Sequence, residues 1–283
     1  MWKQWLKRLH PGYQVLIPDY PVRMIPRYGH GKSSHSGLAQ ILEQETAVFQ
    51  QWIQYILDHA SSLQKIKKAD QLSEGSLLPG WNNGFLPGLD MAMLYTAIRQ
   101  LQPKKYVEVG SGNSTRLVHQ AKLDGALSTE IISIDPHPRA TMDQLASQIV
   151  RMPFESSDLS VFQQLSAGDI VFIDNSHRVL PNSDASAFFL DVLPYLPKGV
   201  WVQIHDVYLP DDYPPVMCER FYSEQYLLAA FILANPEKYK PRFPAWYVSQ
   251  QPDLARRLES LFAHPALHSV ERHGGSFWLE IMH

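Results

Sequence analysis

Ten residues constrain this chain more than any others: Tyr106-Val107-Glu108-Val109-Gly110-Ser111-Gly112-Asn113-Ser114-Thr115. A short apolar run meets two glycines one residue apart, and a helical pattern opens at Ser114 and runs to Leu123. A strand that ends in a glycine turn and feeds a helix is the first half of a βαβ crossover. Parallel strands need such crossovers, because a tight turn cannot join them. Glycine also lets the main chain turn sharply and lets a ligand approach the backbone. The helix N-terminus adds free N–H groups and a partial positive charge.

Three details decide which nucleotide-like ligand suits the turn. The third glycine of a G-x-G-x-x-G fingerprint would fall at Thr115, so the dinucleotide pattern is incomplete. Glu108 stands two places before the first glycine, where a carboxylate suits an ammonium group and repels a pyrophosphate. The next strand, Ile131-Ile132-Ser133-Ile134-Asp135, ends in an acid that can accept hydrogen bonds from two ribose hydroxyls. Together these fit S-adenosylmethionine better than NAD.

With these residues the chain resembles the class I S-adenosylmethionine-dependent methyltransferases, most closely a bacterial group with a Glu-x-Gly-Ser-Gly-x-Ser-Thr turn. The other matches are Ser133-Ile134-Asp135-Pro136, Ile173-Asp174-x-Ser176-His177, Ile204-His205-Asp206 and Glu224-Gln225-Tyr226-Leu227-Leu228. The resemblance runs from Trp81 to the C-terminus. It implies a Rossmann-like, doubly wound α/β fold with a mainly parallel seven-stranded sheet whose final strand, 275–281, is antiparallel. The implied cofactor-binding residues are Glu108, Gly110, Ser111, Gly112, Ser114, Thr115, Asp135, Phe154 and Asp174. The adenine is expected beside the loop Phe154 to Asp158, with Phe154 packed on the ring.

The chemistry should sit at the ends of two later strands. Asp169 to Asp174 is β-branched and apolar, as a buried parallel strand should be, and runs into Asn175-Ser176-His177. Gly199 to Ile204 runs into His205-Asp206. Ligands of open parallel sheets lie beyond the C-terminal strand ends. Asp174, His177, His205 and Asp206 are therefore the catalytic candidates. One reading gives Asp174, His205 and Asp206 to a divalent cation, Mg²⁺ or Mn²⁺, with His177 as general base. The other is metal-free: His177 or His205 takes the acceptor proton and a neighbouring Asp orients it. Related catechol-type enzymes carry Asn after the second Asp; here the residue is Val207. A hydroxyl acceptor needs help losing its proton, so this set points to O-methylation of a small molecule or saccharide. The loop Tyr208 to Pro215 is the expected acceptor-recognition element, and Asp184 an expected helix cap or dipole partner, or else a support behind the site residues.

The rest of the chain frames this domain. Residues 1–80 are expected to be an N-terminal arm and helical extension, and residues 81–283 the cofactor-binding domain. Met1 to Leu9 is basic and amphipathic, Pro11 to Ser36 is rich in Pro and Gly, and 36–62 has the periodicity of a helix in one piece or two. Asp90 is expected to cap a helix over 91–101, and Trp246-Tyr247-Val248 to be strand six. Net charge of −3 and a pI of about 6.4 argue against a dedicated nucleic-acid partner. No apolar run spans a membrane, and a single Cys218 fits a reducing, cytoplasmic setting. The extension could form a homodimer contact. Rival readings are an NAD-linked oxidoreductase, an aminopropyltransferase and a non-catalytic cofactor-binding partner protein.

Overall fold

The computed structural model describes residues 16–17, 19–138 and 142–283. The basic stretch Met1 to Leu9 and the Pro11-Gly12 start of the arm lie outside the described residues. Seven strands form one sheet: β1 Lys105–Val109, β2 Glu130–Ile134, β3 Gln148–Val150, β4 Ile170–Ile173, β5 Trp201–Ile204, β6 Tyr239–Pro244 and β7 Phe277–Ile281. Their order is β3-β2-β1-β4-β5-β7-β6. The first five run parallel, and β7 is antiparallel to both β5 and β6. The strand order reverses between β1 and β4, so a crevice opens at their C-terminal ends. Helices cover both faces of the parallel part, which is why β4 and β5 are buried throughout and carry no polar alternation beyond Gln203.

Seven helices are used below: α1 Ser36–Gln44, α2 Thr46–Asp58, α3 Gly88–Leu101, α4 Asn113–Asp124, α5 Asp184–Ala187, α6 Glu224–Ala234 and α7 Ala245–Gln250. The helical prelude is indeed broken, at Glu45 and again at His59. His35 caps α1 by accepting from the Leu38 amide at 3.3 Å. Leu38, Leu42, Phe49, Trp52, Ile53 and Ile56 belong to the same buried cluster as the strand residues, and the Trp52 ring meets Trp201 of β5 at 5.0 Å. Among the described residues no helix is long and apolar enough to cross a membrane.

Two local expectations are corrected. Strand six is Tyr239–Pro244, and Trp246-Tyr247-Val248 lies in α7. Pro241 and Pro244 disguise the strand; they are tolerated because β6 is the sheet edge, where a missing N–H breaks no ladder bond. Asp90 does not cap its helix. It is fully buried within the first turn of α3, and its carboxylate accepts from the amides of Gly275 (2.7 Å) and Ser276 (3.0 Å) ahead of β7. The cap position is Pro87, which offers no side-chain acceptor.

Candidate active site

The glycine turn closes because β1 and β4 lie side by side. Gly110 has φ +85, and a Cβ there would collide with the Asp174 carbonyl, so no other residue fits. A Cβ at Gly112 would instead project into open space. Glu108 faces inward from β1. It is fully buried and accepts from Ser114 Oγ (2.9 Å) and Thr115 Oγ1 (2.5 Å), and Thr115 Oγ1 in turn accepts from the Gly112 amide at 3.0 Å. Burial raises the Glu108 carboxyl to about 7, against the pull of those hydroxyls. Glu108 and Thr115 thus brace the turn from beneath and do not line the cavity. The expected carboxylate contact with an ammonium is not the geometry found, because the side chain of an inward-facing β1 residue is enclosed by α4.

A cavity of about 760 Å³ runs along the C-terminal strand ends. One end is walled by Asp135, His137, Phe154 and Glu155, the middle by Gly110, Ser111 and Asp174, and the other end by His177, His205, Asp206 and Tyr222. Asp135, just past β2, accepts from the amide and hydroxyl of Ser111, both at 2.9 Å, and from the His137 amide at 2.9 Å. Phe154 is buried and packs edge-on against Phe162. In the same loop Ser157 donates to the Phe154 carbonyl, and Asp158 accepts from the Ser160 amide. A second cavity of about 350 Å³ adjoins the first and is lined by Phe85, Gly112, Ser114 and Arg116. The glycine turn with its open Gly112, the acid at the end of β2 and the aromatic beside it suit a nucleoside cofactor with a short polar tail.

Beyond β4 and β5 the predicted acids and imidazoles do meet. His177 is buried, with Nδ1 2.5 Å from Glu224 Oε1 and Nε2 3.3 Å from Asp174 and 3.5 Å from Asp206. Its ring stacks on Tyr222 at 4.6 Å. Burial pulls its pKa down, but Glu224, Asp174 and Asp206 together hold it well above the ordinary imidazole value. His205 is equally buried but makes no hydrogen bond with either ring nitrogen. Nδ1 lies 3.5 Å from Asp206 and 3.7 Å from Asp174; Nε2 lies 3.7 Å from Asp90. Burial lowers its pKa, and the three carboxylates more than offset that, so the net shift is upward. Both His177 (φ +60) and Asp206 (φ +54) adopt the left-handed backbone region, a costly conformation for non-glycine residues that is concentrated at functional sites.

Among the described residues no group of three or more His, Cys, Asp or Glu side chains converges to hold an ion, Asp174, His205 and Asp206 included. The carboxylates of Asp174 and Asp206 face the imidazole rings of His177 and His205. Ser183 is the cap of α5, accepting from the Ser186 amide, and Asp184 follows in the first turn, the dipole-partner position. Asp184 accepts from the Ser176 amide (2.8 Å) and hydroxyl (2.5 Å), fixing the loop that carries His177. The loop Tyr208 to Pro215 does not line the cavity. Arg27 and Tyr28 amides and Tyr226 bind Asp212, while Ser34 and Trp246 bind Asp211, so the N-terminal arm clamps this loop. The residues that do line the far end are Met217, Arg220 and Tyr222. Sequence reasoning missed these and the roles of Glu224 and Asp90. Glu224 opens a quoted motif, but an acid in a first helical turn reads equally as a dipole partner.

Residues 107–207 match a family model described as a methyltransferase domain. Comparison with curated protein sequences finds no match. Among solved structures, an S-adenosylhomocysteine-bound methyltransferase of Podospora anserina aligns at 16% identity over 66% of this chain and 81% of its own, with a TM-score of 0.39. The O-methyltransferase TomG of Streptomyces achromogenes aligns at 13% identity over 88% and 99%, with a TM-score of 0.34. An O-methyltransferase of Bacillus cereus aligns at 12% over 82% and 91%, with a TM-score of 0.35. The matched region begins within β1 and ends just past β5, so the part of the sheet that lines the cavity is the part similar to a methyltransferase domain.

Proposed function

We propose that the protein methylates a hydroxyl of a small-molecule or saccharide acceptor and that His205 removes the acceptor proton. S-adenosylmethionine supplies the activated methyl group. Asp135 would take the ribose hydroxyls in place of the Ser111 groups it now accepts from, with Phe154 against the adenine and the Gly110 to Gly112 backbone beneath the tail. Methyl transfer is an in-line displacement, so the chain's main tasks are alignment of the acceptor and withdrawal of its proton.

The observation that carries this reading is the buried His205 ring, with both nitrogens unbonded at the end of the cavity. His177 suits the role less well, because Nδ1 is already engaged by Glu224. Nδ1 of His205 lies on the side of Asp174 and Asp206, both cavity residues, and Asp90 stands behind Nε2. A proton taken at Nδ1 would be stabilised by the surrounding carboxylates. The test is calorimetry with S-adenosylmethionine, S-adenosylhomocysteine and NAD, followed by a methyl-transfer screen over hydroxyl and amine acceptors. Binding of the first two and turnover of hydroxyl compounds are expected. Binding of NAD alone, or turnover confined to amines, would overturn the reading.

A further inference from the structure

The acceptor end of the cavity has a cationic wall that none of the methyl-transfer chemistry uses. Tyr222 stacks on His177, and the guanidinium carbons of Arg220 and Arg178 lie 4.5 Å and 5.3 Å from the centre of the Tyr222 ring. All three side chains line the cavity. Arg178 is held in place: Nε donates to the Arg220 carbonyl (2.9 Å) and Nη1 to the Ser176 carbonyl (2.9 Å). No carboxylate lies within ion-pair distance of either guanidinium among the described residues, although acids are plentiful a few residues away. Arg220 makes no side-chain hydrogen bond among the described residues, and Nη2 of Arg178 makes none either. Two arginines therefore flank one aromatic ring in the cavity wall, each with donors left unpaired. Guanidinium forks match planar or tetrahedral oxyanions, and the aromatic platform pre-orients them.

Resting on the methyltransferase reading above, we propose that the acceptor carries an oxyanion, a carboxylate or phosphate, which Arg220 and Arg178 bind beside Tyr222. The reacting hydroxyl then lies towards His205 while the anion is held at the arginine end. At this end of the cavity carboxylates surround His205, and the guanidinium groups lie beside Tyr222. An anionic acceptor in the reverse orientation would place its charge against Asp174 and Asp206, so the wall also sets orientation.

The test uses the full chain, with and without saturating S-adenosylhomocysteine. Benzoate, benzamide and inorganic phosphate are titrated by calorimetry. Benzoate is expected to bind about tenfold more tightly than its neutral isostere benzamide, as a charge-assisted pair would give. Arg220→Gln should bring the two within about threefold while leaving S-adenosylhomocysteine affinity unchanged, and Arg178→Gln should act in the same direction. Phosphate competing with benzoate assigns the wall to tetrahedral as well as planar oxyanions; phosphate without effect confines it to carboxylates. Equal affinity for benzoate and benzamide in the wild type, or a benzoate preference that survives in both variants, overturns the proposal. Failure of S-adenosylhomocysteine to bind removes the donor reading instead, and the anion comparison is then read on the free protein.

Discussion

At the scale of single residues, burial decides which ionisable groups can act. His177 and His205 follow neighbouring strand ends, yet Glu224 engages Nδ1 of the first and the second has no hydrogen bond. His205→Asn should lower kcat by about 10²-fold, the lower range for a lost general base, with little change in S-adenosylhomocysteine affinity. Because the carboxylates raise the His205 pKa, its neutral, proton-accepting form accumulates only above the ordinary imidazole value of 6.5. The acidic limb of the kcat profile should therefore lie above pH 6.5, and a limb at or below it would remove His205 from the role. Asp135→Ala should weaken S-adenosylhomocysteine binding about tenfold or more in calorimetry, the scale of a lost charged acceptor.

Glu108 allows a separate thermodynamic check. Its folded pKa of about 7 lies above the ordinary 4.5, so the native state binds more protons than the unfolded chain across that interval. Its contribution to stability is present in full below pH 4.5 and declines as pH rises through 7, a change of roughly 3 kcal/mol. Glu108→Gln should flatten that part of the pH–stability curve measured by urea unfolding. An unchanged slope would show that the carboxyl titrates normally.

At the scale of elements, the glycine turn, the β2 acid and the two apolar strands were legible because each is a local pattern with one physical meaning. Strand six was not, since Pro241 and Pro244 argue against a strand unless the edge position is known. The arm was legible only as irregular. Its role depends on partners about 180 residues away: Arg27 amide to Asp212 (2.6 Å) and Ser34 hydroxyl to Asp211 (2.5 Å). Asp212→Ala leaves the Arg27 amide and the Tyr226 hydroxyl without their acceptor, a cost of about 1–3 kcal/mol. Limited proteolysis should then cut the arm within 16–34 faster than in the wild type, with S-adenosylhomocysteine affinity preserved. An unchanged cleavage rate would mean that the clamp does not hold the arm.

For the whole molecule, the question is whether the helical prelude is an accessory or part of the fold. Trp52 and Phe49 of α2 are buried against residues of the sheet domain, in one continuous cluster. Trp52→Ala should cost about 3–5 kcal/mol, the usual range for emptying a core aromatic site. It should lower the midpoint of a single unfolding transition followed by circular dichroism. Two separated transitions would show that the prelude folds independently.

The sequence alone determined the βαβ beginning, the donor-side turn and which strands end in acids and imidazoles, because backbone sterics and periodicity act over a few residues. Tertiary structure decided what those groups do. It buried Glu108 under the turn, set Glu224 against His177 and Asp90 behind His205, covered the acidic loop with the arm, and brought Arg178 and Arg220 onto Tyr222. Charge, desolvation and hydrogen-bond saturation depend on neighbours that only the packed sheet brings together.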